Sequence, residues 1–237
     1  MFCTIACWIL AWQALNFVLA AVNPYFSATY NKLDATAQGY WNASAISSIM
    51  SVLLSGAAIV TQAESTDLFS HTALNSGIMQ AFVGYLCSDA ALVLYHQCKW
   101  PGSTATLVHH GVSIVTTLHV LLAGPAGVTL LLQMLLGELS TPFVNQRYFL
   151  DTMGMKESGI YAVNGVLLLA FWFVFRIVNM GVVCWRFLEA REAFQQNASF
   201  NVNAVFAATL LVYGLQYVWF YKIVKGAVKV CRKLKSA

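Results

Sequence analysis

The sequence is short of charge. Of its 237 residues, 9% are Asp, Glu, Lys or Arg, against about 25% in an ordinary soluble domain. Hydrophobic residues make up 59%, too many for the polar side chains to cover a water-facing surface. A soluble globular domain is excluded, and an integral membrane protein is implied. Other absences narrow the reading. There is no internal repeat, heptad or low-complexity tract, so one membrane domain fills the chain. The six cysteines, Cys3, Cys7, Cys87, Cys98, Cys184 and Cys231, form no C-x-x-C pair and mostly lie in apolar runs, which reads as buried free thiols. Cys231, in the basic tail, is a weak candidate for palmitoylation. The first apolar run lacks the basic stretch that opens a secretory signal peptide, so it is kept as a helix.

What is present is a series of apolar runs of spanning length. A helix needs about 17–25 apolar residues to cross a bilayer. The runs fall near 2–22, 43–61, 73–95, 107–123, 125–146, 160–186 and 202–224. The fold class is an all-α, multi-pass transmembrane bundle of about seven helices (six to seven). Only Gly124-Pro125 separates the fourth and fifth runs, which form either a tight hairpin or a partly re-entrant pair. Aromatic residues, at 14%, suit a chain with many ends at the lipid–water interface. The expected organisation is a first helix and loop over 1–39, a membrane domain over 40–230 and a basic tail over 231–237.

The net charge of +4 is unevenly placed. Lys222, Lys225, Lys229, Arg232, Lys233 and Lys235 crowd the C-terminal end. A basic stretch directly after an apolar run anchors at anionic headgroups on the cytosolic side and does not suggest nucleic acid. With seven crossings, Lys32, Lys99, Arg147 and Lys156 fall on that same side. Arg186 and Arg191 fall opposite, and Arg176 lies within a helix. The ending "KLKSA" fits a dilysine retrieval signal for the endoplasmic reticulum. Asn197-Ala198-Ser199 is a glycosylation sequon placed in the lumen, whereas Asn42-Ala43-Ser44 falls at a cytosolic helix start and should stay unmodified. The expected location is the endoplasmic-reticulum membrane with a cytosolic C-terminus.

Ionisable side chains at bilayer depth cost a few kcal/mol or more unless they face a partner or a cavity. The third run contains "GYLCSDAALVLYHQ", in which Tyr85, Asp89 and His96 share a stripe. Asp89 and His96 lie about 10 Å apart along the axis, too far to touch, so His96 either flanks the same cavity or is solvated at the membrane edge. In the fourth run, "TLVHHGVSIVTTLHV", His109 and Ser113 share a face, while His110 points about 100° away. His119 reads as a hydrogen-bonded structural residue. In "GELSTPFVNQRYF", Pro142 removes the bond that the Glu138 carbonyl would accept, and Ser140 and Thr141 can re-satisfy the freed groups. Glu138 and Asn145 share one face of that kinked segment. Arg176, with Asn179 one turn on, stays protonated and needs an anion, Asp89 or more readily Glu138. Five histidines without an H-x-x-x-H spacing make a metal site unexpected, and no cofactor is implied.

The segments "GYLCSDAALVLYH", "LVHHGVSIV", "GELSTPFVNQRYFLD" and "YVWFYKIVKG" resemble, in that order and spacing, the TLC-domain family, which includes ceramide synthases and translocating-chain-associated membrane proteins. The resemblance covers roughly residues 40–230, and the last two segments look most like the TLC domain-containing protein 4 group. In ceramide synthases a histidine pair is implicated in acyl transfer from acyl-CoA to a sphingoid amine, and His109 and His110 match it. A neutral imidazole can take a proton or carry an acyl group. Where those enzymes continue with an aspartate-rich segment, the matching region here reads "GELSTPFVN", with Glu138 as its only carboxylate. The group most like this chain is associated with membrane lipid homeostasis. The resemblance thus implies a lipid or acyl chain held among Tyr85, Asp89, His109, His110, Ser113, Glu138, Asn145, Arg176 and Asn179. The alternative is a ceramide-synthase-like acyltransferase using the histidine pair with acyl-CoA as co-substrate. Membrane lipids are the expected partners, and the oligomeric state is left open.

Overall fold

A computed structural model describes the chain except residues 65–66, 70–71, 97–98, 125 and 236–237; the side chains of 64 and 229–235 are likewise outside the described set. Cys98, Pro125, the Cys231 side chain and the C-terminal "KLKSA" signal therefore lie outside the described set. The described elements are all helical. In chain order they are α1 (Phe2–Phe26), a short 3-10 turn (Tyr30–Lys32), α2 (Ala35–Glu64), α3 (Ala73–Tyr95), α4 (Ser103–Ala123) and α5 (Val128–Leu135). A second 3-10 turn (Leu136–Ser140) leads into α6 (Thr141–Thr152). Then come α7 (Gly159–Phe171), a π-helical stretch (Trp172–Val178), α8 (Asn179–Glu189), α9 (Arg191–Asn197) and α10 (Val202–Lys235).

Six helical segments are long and apolar enough to cross a membrane: α1, α2, α3, α4, the continuous run from Gly159 to Glu189, and α10. The segment expected as one helix over 125–146 is instead broken into α5, a 3-10 turn and α6. Pro142 has no N–H to continue the ladder. The Glu138 carbonyl accepts from the Thr141 N–H instead, an i→i+3 bond that tightens the turn. The broken segment still runs the length of α2, in the opposite direction. Thr129 Oγ1 donates to the Asp67 carbonyl, Ser55 Oγ to the Leu135 carbonyl and Asn145 Nδ2 to Ser48 Oγ. At the far end Tyr148 and Phe149 pack on Tyr40 and Trp41. It therefore traverses the same thickness as α2 and is not re-entrant. Gly124 and Gly127, at φ 122° and 89°, turn the chain ahead of it.

These pairings fix two ends of the bundle. At one lie the C-terminus of α1, the start of α2, the end of α3 and the start of α4, tied by Asn23 to Asn42 and by Trp100 Nε1 to the Thr36 carbonyl. Arg147 and Lys222 belong to this end. At the other lie the end of α4 and the start of α10, where the Asn201 N–H donates to His119 Nε2. Arg186, Arg191 and Asn197 belong there. α3 is the most enclosed span because it lies between α1, α2, α4 and α5. Gly84 lets α1 approach it: a Cβ there would sit 2.5 Å from the Trp8 Cβ and 3.2 Å from the Ile5 carbonyl. The outward faces carry large apolar side chains such as Leu10, Phe17, Val115 and Val166, as lipid-facing helices should. α10 continues past residue 230, so the expected separate tail begins as helix.

Candidate functional site

The broken segment and the π-helical stretch meet at mid-bundle, and their contact builds the site. Arg176 sits in the π-stretch, whose extra residue per turn re-aims side chains relative to the helix on either side. Its side chain is buried, at 7% exposure, and its donors are widely used. Nε donates to Ser140 Oγ (2.7 Å), Nη1 to Gln216 Oε1 (3.2 Å), and Nη2 to Glu138 Oε2 (3.0 Å) and Thr141 Oγ1 (2.8 Å). The guanidinium also lies 4.6 Å from the centre of the Trp172 ring. Thr141 Oγ1 donates to Glu138 Oε2 at 2.6 Å. The pairing expected for Arg176 is the one with Glu138, and the kink at Pro142 makes it reachable. Ser140 returns its proton to the Gly137 carbonyl (3.0 Å), whereas Thr141 serves the carboxylate and not the backbone.

A second pair lies between α3 and α4. His110 Nε2 is 2.8 Å from Asp89 Oδ2. An imidazole N–H on Nε2 donates to the carboxylate in this contact. Tyr85 packs edge-on against the same imidazole, with centroids 6.3 Å apart. His109 points to a different face, as the 100° offset requires, and its ring packs against Trp219 (5.7 Å). Among the described residues, Nδ1 of His109 and Nδ1 of His110 are buried without a hydrogen-bond partner.

Two chambers meet at these groups. The outer one, about 460 Å³, is lined by Tyr85, Asp89, His110 and Asn145 among others and reaches Arg147, Lys222 and Gly226 at the basic end. The inner one, about 50 Å³, is lined by Ser113, Met79, Phe82, Met134 and Met180 and runs along α10 past Val212 to Ala208. His109, Glu138 and Arg176 line both. They form a polar collar between a wide mouth and a narrow, mostly apolar throat.

Of the residues expected in the cavity, one lies elsewhere. Asn179 lines neither chamber: it exchanges hydrogen bonds with Gln133, which in turn accepts from Arg186 at 2.6 Å. It pins α8 to α5, because one π-turn separates its direction from that of Arg176. His96 ends α3, stacks on Trp100 and fills the space left by Gly39, outside the cavity. His119 accepts from the Asn201 backbone, the structural role expected for it. Sequence reasoning missed Gln216 and Trp219, which α10 contributes to the collar. The amide of Gln216, lone within "LVYGLQYVWF", was a signal that could have found it.

The profile of the TRAM, LAG1 and CLN8 family, described as the TLC domain, matches residues 40–225. The chain is 31% identical over 150 residues to TLC domain-containing protein 4-B of Xenopus laevis, covering 62% of this chain and just over half, 56%, of that one. It is 26% identical to human TLC domain-containing protein 4 over 91% of this chain and 86% of the relative. It is 23% identical to TLC domain-containing protein 4 A of Dictyostelium discoideum over 100% and 97%. With its profile match spanning every collar residue, this multi-pass membrane protein belongs to the TLC-domain family.

Proposed function

We propose that the chain is a protein of lipid homeostasis in the endoplasmic-reticulum membrane that holds a lipid or acyl chain in its two-chamber cavity. The observation that carries this reading is the collar of His109, Glu138 and Arg176 between the outer and inner chambers. Pockets for amphiphiles combine apolar walls with a few convergent polar groups. Here the apolar throat suits the end of a chain, and the collar suits the polar linkage above it. The basic end, with Arg147, Lys222 and Lys225, is assigned to the cytosol by the positive-inside rule, and the cavity then opens to that side.

A second reading is acyl transfer, favoured by the Asp89–His110 contact. A carboxylate that fixes one imidazole nitrogen is the usual orienting element beside a histidine base. Nε2 of His110 is held by Asp89, which leaves its buried, unpartnered Nδ1 as the base. His109, which borders both chambers, would meet the acyl carbonyl. One experiment separates the readings: lipid mass spectrometry on the purified protein together with its intact mass. A bound lipid without a covalent adduct supports holding, an acyl adduct on His109 supports transfer, and a lipid-free protein counts against both.

A further inference from the structure

The charges in the cavity do not all have partners. Asp89 faces His110 and Glu138 faces Arg176, so both cavity carboxylates are engaged. The cations at the mouth are not. Among the described residues, neither Arg147 nor Lys222 makes an ion pair or side-chain hydrogen bond. Arg147 is half-buried in the wall and is held in place without an acceptor. Its guanidinium lies 4.6 Å from the centre of the Tyr161 ring, and Nη1 passes over Gly165 at ordinary contact distance. Such a contact orients the guanidinium but leaves its in-plane N–H donors free. Lys222 reaches the same chamber from α10.

We propose that Arg147 and Lys222 form a headgroup site for an amphiphile whose phosphate carries no compensating cation, rather than for a zwitterionic or amine headgroup. A guanidinium presents a planar fork that matches phosphate oxygens, and an ammonium from a second wall supplies a point charge for a doubly charged group. The outer chamber, far larger than the throat, has room for a headgroup beside the two cations. An amine-bearing lipid would bring a third cation to a mouth with no free carboxylate among the described lining residues. This site rests on the reading that the cavity holds an amphiphile and names its headgroup chemistry. Two sources share that chemistry: an anionic phospholipid of the bilayer and a phosphate-rich acyl thioester from the cytosol.

The test is native mass spectrometry of the full-length protein in detergent, titrated with dioleoyl phosphatidic acid, oleoyl-CoA or dioleoyl phosphatidylcholine. Wild type should bind at least one of the two anionic ligands about tenfold more tightly than phosphatidylcholine, the scale of one charge-assisted contact. Whichever binds more tightly identifies the source. In Arg147→Gln/Lys222→Gln the preference should fall to within about twofold, while Arg147→Lys should retain part of it. If Arg147→Gln does not fold, Lys222→Gln alone, at an exposed position, must still reduce the preference. Equal binding of phosphatidylcholine, or a preference that survives loss of both cations, overturns the headgroup site and leaves the lipid-holding reading intact. Binding of none of the three overturns both.

Discussion

Arg176 is the residue on which the collar depends. It joins the 3-10 turn, the π-stretch and α10 through Ser140, Thr141, Glu138 and Gln216. Removing one partner of a buried ion pair costs about 3–5 kcal/mol, because the other charge is left unpaired. Arg176→Leu should therefore lower stability by that order, read as a loss of thermal midpoint in detergent. Ser140→Ala, which removes one hydrogen-bond partner of the guanidinium, should cost less, about 1–3 kcal/mol. Equal and small effects would contradict the collar. The pairing with Glu138 was legible in the sequence, since a buried arginine must find an anion and few lie at its depth. The role of Asn179 was not: helical spacing placed it beside Arg176, and the π-turn redirected it to Gln133.

Among elements, the informative ones are the contact of α1 with α3 and the broken α5–α6 segment. α1 lies on α3 where Gly84 removes a Cβ, and Trp12 and Gln13 add bonds to the Ala81 carbonyl and to Ser88. Gly84→Leu would force the two helices apart. Overpacking of this kind costs about 1–3 kcal/mol, and the variant should unfold at lower temperature while the Arg176 network is unchanged. Apolar run length placed the ends of the continuous spans to within four residues, because the bilayer imposes length directly, except that α2 begins eight residues before the expected 43 and α10 ends eleven residues after the expected 224. It blurred the fifth segment, where Pro142 was read as a kink in one helix. Arg176, 38 positions away from Glu138, bonds the side chains of that turn, and local sequence does not show a contact at that separation.

At the scale of the whole molecule, seven traverses put the basic mouth and Asn197 at opposite ends. Asn197 is exposed at the end of α9, whereas Asn42 is buried and bonded to Asn23 and Tyr30. Translation into microsomes should glycosylate Asn197 and leave Asn42 bare. A bare Asn197 together with a glycan on a sequon added to the tail would invert the orientation. That the basic mouth and Asn197 lie at opposite ends was legible, because it needs only the order of the spans. The two chambers were not legible, since their walls come from distant helices. The central claim is that these chambers hold an acyl chain. Its most direct measurement is untargeted lipid mass spectrometry of purified wild type beside Ala208→Phe, which fills the throat. The account predicts a co-purifying lipid or fatty-acyl species in wild type, depleted several-fold in the folded variant. A wild type free of lipid, or equal lipid in both proteins, would contradict it.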